Sequence, residues 1–144
     1  MVAVRMRNSE NERRAKAPDS EKITINIGYV DLGHIDLLVA EGHYSNRTDC
    51  IRTAIRNQLD RHSDVVRQSV TRRSLDLGLR HISRNLLEDA RAAGERLELK
   101  VLGLVTIADD ITPELARETI ASITVLGAMH ASPAVRQALT DRTY

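Results

Sequence analysis

Apolar and polar positions alternate in "KITINI", residues 22–27. Ile23, Ile25 and Ile27 lie on one side, Lys22, Thr24 and Asn26 on the other. A two-residue period predicts a strand with one apolar and one polar face. In "VDLGHIDLLVAEG" the period lengthens. Leu32, Ile35, Leu38 and Val39 recur at helical spacing, and Gly42 follows as a stop. A second helix is expected in "YSNRTDCIRTAIRNQLDRH", with Ser45 as its N-cap and a stripe of Ile51, Ala54, Ile55 and Leu59. Val65, Val66 and Val70 keep a looser period, so this helix is expected to run on through "SDVVRQSVTRR".

From about residue 75 the pattern becomes repetitive. "LDLGLRHI", "LELKVLGLVTI" and "SITVLGAMH" each carry a glycine inside an apolar run, and Gly78, Gly103 and Gly127 are spaced by about 24 to 25 residues. A helical segment follows each run: "RNLLEDARAAGE", "TPELARETI" and "SPAVRQALTDR". Thr112–Pro113 and Ser132–Pro133 are start signals, a capping hydroxyl followed by proline at the first helical position. Strands alternating with helices predict a small parallel sheet, with the first unit the weakest. The spacing reads either as a short solenoid or as an ordinary α/β lobe.

The predicted fold class is α+β, in three parts. Residues 1–21 form a flexible polar tail, residues 22–73 a strand–helix–helix unit, and residues 74–144 a set of strand–helix repeats, expected to serve oligomerisation or the binding of a partner.

Composition narrows the picture. The chain of 144 residues has no Phe or Trp and only 3 Tyr, so its core is aliphatic. Such side chains bury less area than aromatic ones, and subunits are expected to complete their cores against one another. Net charge is only +1, so any nucleic-acid-binding surface is local. Cys50 is the one cysteine, which excludes an intrachain disulfide and a thiol-rich metal site. With no signal-peptide or membrane-spanning pattern, a reducing cytoplasm is the expected compartment.

A lone strand leaves its ladder donors and acceptors unpaired and cannot bury its apolar face. The stretch "KITINIGYVDLGHIDLLVAEGHYSNRTDCIRTAIRNQL" resembles the CopG, Arc and MetJ class of ribbon-helix-helix DNA-binding proteins. Its matching pieces are "KITINI", "IDLLVAEG" and "YSNRTDCIRTAI". The resemblance implies that the strand pairs antiparallel with its copy in a homodimer. Ile23, Ile25 and Ile27 would then face a dimer core shared with Ile35, Leu38, Cys50, Ile51, Ala54, Ile55 and Leu59. Lys22, Thr24 and Asn26 would read base edges in the major groove of double-stranded DNA. Ser45, Asn46 and Arg47, at the start of the second helix, would hold phosphate. Arg52, and Arg56 beside it, would add phosphate contacts or serve as solvated helix charges.

The function implied is a sequence-specific transcriptional regulator, a repressor associated with the nucleoid. An antitoxin with a toxin partner is one alternative. The other is a DNA-anchored partition protein that polymerises through its repeats. Nickel-responsive members of the class need a cluster of His with a Cys in the C-terminal domain. Here Cys50 lies in the second helix, and only His81 and His130 occur past residue 80. No metal or cofactor is therefore expected. Asp109 and Asp110 read as a turn before the Thr112 cap. No nucleophile–base pair or phosphate loop is legible, so enzymatic activity is not expected.

Overall fold

The computed structural model describes residues 20–144. The expected tail lies almost entirely outside the described residues. Residues 21–28 form neither helix nor strand. Alternation alone does not make a strand, and among the described residues no segment pairs with this one as a ladder partner.

Three helices follow: α1 (Tyr29–Ala40), α2 (Arg47–Arg61) and α3 (Ser63–Arg73). Gly42 ends the first, at φ +81°, the left-handed conformation that glycine adopts without steric cost. The cap of α2 differs from expectation. Asn46, not Ser45, is the N-cap, and its side-chain oxygen accepts the Asp49 N–H at 2.8 Å. Asp49 in return accepts the Ser45 N–H at 3.0 Å. The cap satisfies one free donor of the helix start, and Asp49 reaches back past the cap to hold the residue before it, a variant of the capping box. Nor does the second helix run on unbroken. His62, at φ −101° and ψ 10°, separates α2 from α3.

Residues 76–138 form the repeat unit: β1 (Asp76–Ile82), α4 (Arg84–Ala92), β2 (Leu97–Ile107), α5 (Pro113–Thr119), β3 (Ile120–His130) and α6 (Pro133–Ala138). The strands are parallel in the order β1-β2-β3. The first unit is a full member, paired with β2 along its whole length. Ser83, Thr112 and Ser132 each accept the backbone N–H three residues on, and so start α4, α5 and α6. The three helices lie on one face of the sheet. Leu87, Leu115, Ala116 and Val135 from the helices meet Ile82, Val101, Val105 and Ile123 from the strands in one aliphatic core. Fully burying a side chain of this size contributes about 1.5–3 kcal/mol.

The repeat spacing fixes the register. Gly78 pairs with Gly103, and Gly103 with Gly127. All three have positive φ, at 110°, 141° and 131°. A Cβ on Gly103 would lie 2.0 Å from the Gly78 carbonyl oxygen, and one on Gly127 2.0 Å from that of Gly103. Only glycine permits both the conformation and the close approach.

The outer edge of β3 is partly covered. The Tyr144 N–H donates to the Ile123 carbonyl at 2.8 Å, and Thr143 bridges Ile123. Asp141 fixes this end by accepting from Arg117 at 3.0 Å, and that guanidinium holds the Asp141 carboxyl below its usual range.

Candidate nucleic-acid interface

Lys22, Thr24 and Asn26 are all exposed, as the polar side of the segment should be. The apolar side is exposed as well. Ile23 is 74% and Ile25 63% accessible, and Ile27 is half-buried. Both sides of an isolated segment therefore face solvent.

The helices behind it show the same shortage of cover. No residue of α1 is buried, and Cys50 is the only buried residue of α2. Ile35 and Ile51 are half-buried, whereas Leu38, Ala54, Ile55 and Leu59 are exposed. One chain thus leaves most of the expected core positions open.

Within one chain, a side-chain pair ties α1 to α2. The Arg47 guanidinium donates from Nε to Asp36 Oδ1 at 2.7 Å and from Nη2 to Oδ2 at 2.8 Å. Two parallel bonds to a carboxylate form the strong fork geometry of arginine. The pair lowers the Asp36 pKa and raises that of Arg47, chiefly through the shared hydrogen bonds. Arg47 is accordingly engaged within the chain rather than presented as a free phosphate ligand. This pairing is not visible as a motif, because the partners stand 11 residues apart on different helices.

Other cationic groups lie further along α2. Asn46, Thr48, Asp49, Arg52 and Arg56 line a shallow groove of about 310 Å³. Arg52 and Arg56 are one turn apart, and neither forms an ion pair among the described residues. Asn46 lines the groove, but its side-chain oxygen already accepts the Asp49 N–H, and the Ser45 N–H is taken by the Asp49 carboxylate. The local arrangement suits an anion held by two guanidinium groups better than one held by the cap residues.

Elsewhere, His81 Nδ1 lies 3.4 Å from Thr106 Oγ1 on the neighbouring strand. Asp109 and Asp110 form a turn, and the Asp110 carbonyl accepts from Arg84 at 3.0 Å. Among the described residues no three His, Cys, Asp or Glu side chains are grouped to hold a metal ion, and no helix is long and apolar enough to cross a membrane.

A family model described as the ribbon-helix-helix transcriptional regulator family matches residues 18–136. The match takes in the exposed segment, the helices behind it and almost all of the repeats. No curated protein and no solved structure matches the chain.

Proposed function

The chain belongs to the ribbon-helix-helix transcriptional regulator family, and from that premise we propose that it is a repressor working as a homodimer. Two copies pair residues 22–27 as an antiparallel ribbon. The Ile23, Ile25 and Ile27 faces close over α1 and α2, and Lys22, Thr24 and Asn26 of both copies enter the major groove. One observation carries this reading. The alternating segment and the two helices behind it hold a single buried side chain, Cys50, between them. A unit with so little core cannot offset the conformational entropy of ordering it. A second copy would supply the missing cover and the missing ladder bonds together.

The polar face suits base edges. Asn donates to and accepts from adenine N6 and N7, Lys donates to guanine O6 and N7, and Thr bonds or places its methyl against that of thymine. Arg52 and Arg56 seat the flanking phosphate. Arg47 acts indirectly, by tying α2 to α1 through Asp36. Residues 22–73 form the DNA-binding and dimerisation domain, and residues 74–144 a domain for further association. The repressor needs no metal, cofactor or catalytic group.

The partition-polymer reading is less well supported. Head-to-tail growth of the sheet needs both outer edges free, and Thr143 and Tyr144 occupy part of the β3 edge. An antitoxin role would make the repeats a toxin-binding segment, yet they carry a buried core of their own.

The test is to sequence the DNA fragments that the purified protein retains from a genomic or random library. A two-fold symmetric motif is expected. Retention without sequence enrichment overturns groove reading.

A further inference from the structure

The helices α4, α5 and α6 cover one face of the sheet, and the other face has its own pattern. Leu77, Leu102 and Leu126 stand in register across the three strands. The next outward row is Leu79, Leu104 and Ala128. None of these belongs to the aliphatic core or packs against it. Leu77 and Leu79 are each 72% accessible and Leu126 44%. Parallel sheets are found almost only with both faces covered. The exposed apolar area is on the order of several hundred Å², as large as the largest patches on typical monomers.

This face continues into the helices of the proposed dimer. A groove of about 490 Å³ runs between them, with Leu59, Val66 and Val70 on one wall and Leu77 and Leu102 on the other. The joint is short and tied down. Only Ser74 and Leu75 separate α3 from β1. Leu75 is buried, and its N–H bonds the Val70 carbonyl at 3.0 Å. The open apolar surface of α2 and α3 and that of the sheet therefore form one strip.

We propose that the outer sheet face is a second self-association surface, in which the two rows of Leu77 and Leu79 pack against the same rows of a second copy. This rests on the ribbon-dimer reading, because the strip runs on from the helices that reading places at the dimer interface. The two rows hold no charge and no unpaired side-chain polar group, so a two-fold contact is self-complementary. Two faces of this size bury about 1,000 Å², near the lower limit for a specific interface. Ribbon pairing compensates for that modest area by raising the effective concentration of one face near the other to about the millimolar range.

The test uses the full chain with Cys50→Ala and one new cysteine. In a two-fold contact the central strand β2 of each copy lies over that of the other. The Leu104→Cys variant is therefore expected to couple through a short bismaleimide into a covalent dimer at least tenfold faster than the Glu118→Cys variant, whose thiol lies on α5 beyond the opposite face. Adding Leu77→Glu with Leu79→Glu should reduce that coupling at least tenfold. Both positions are exposed in the single chain, so the far-UV circular dichroism should stay unchanged. If the chain sediments as a dimer and the Leu104→Cys variant couples no faster than the Glu118→Cys variant, the sheet contact is overturned and the ribbon dimer stands. If adding Ile25→Asp to the Leu104→Cys variant changes neither its sedimenting mass nor its coupling rate, the ribbon reading fails and the sheet contact stands.

Discussion

Arg47 and Asp36 lock the first two helices together through a pair of parallel hydrogen bonds, 2.7 and 2.8 Å long. The pairing commits the cation nearest the start of α2 to geometry. Asp36→Asn should release it. Binding to a generic duplex should then weaken, and the slope of log K against log salt should stay nearly unchanged, because Arg47 holds α2 and not phosphate. Anisotropy titrations across a salt series measure both. Arg47→Ala should likewise lower thermal stability and weaken binding to all sequences.

The pH dependence of that pairing has a definite sign. The folded-state pKa of Asp36 lies below its ordinary value. Its contribution is therefore complete above the ordinary carboxylate range and disappears as pH falls through the lowered folded value. Asp141, held low chiefly by Arg117, behaves alike at the C-terminal end. Asp36→Asn and Asp141→Asn should each flatten the acid limb of a stability–pH curve and leave its alkaline limb unchanged.

Gly103→Ala should be severely destabilising, by about 3 kcal/mol or more. The new Cβ would meet the Gly78 carbonyl at 2.0 Å, at φ +141°. Gly33→Ala is the contrast. Nothing lies within 4 Å of a Cβ there, and alanine in a helix is favoured by about 1 kcal/mol. Thermal unfolding of the two variants should shift in opposite directions.

Ile25→Asp should do more than remove one apolar side chain. Helicity of residues 29–73 is expected to fall, and to fall further on dilution, because the α1–α2 unit holds so little core of its own. Circular dichroism at a series of concentrations is the measurement. Concentration-independent helicity in the parent chain would remove the reason for proposing an obligate dimer.

Asn26→Ala should relax preference at the base pairs it reads, by about 1–3 kcal/mol for each bidentate pairing with a base edge. Arg52→Ala with Arg56→Ala should weaken binding to every sequence alike and flatten the salt dependence. Selection from a random library separates the two effects.

The repeats were legible because their signals are local. A capping hydroxyl followed by proline marked the starts of α5 and α6 at Thr112 and Ser132, and the glycine spacing already contained the register. The N-terminal half was less legible. Ser45 and Asn46 are both good capping residues; Asn46 caps the Asp49 N–H, while the Asp49 carboxylate takes the Ser45 N–H and holds Ser45 outside the helix. The break at His62 has no glycine or proline to announce it. The Arg47–Asp36 pairing and the groove at Arg52 and Arg56 depend on how helices meet, which no periodicity encodes. Residues 22–27 show the limit most clearly, since a strand exists only through its neighbour.

The glycine column across β1, β2 and β3 constrains how chains of this kind diverge. Each step repeats the same carbonyl-to-glycine approach, so a whole strand–helix module can be gained or lost and the remaining modules still align. An insertion or deletion of a few residues within one strand would instead set a side chain against a backbone oxygen. Length variation among related chains should therefore come in whole modules or fall in the connecting loops.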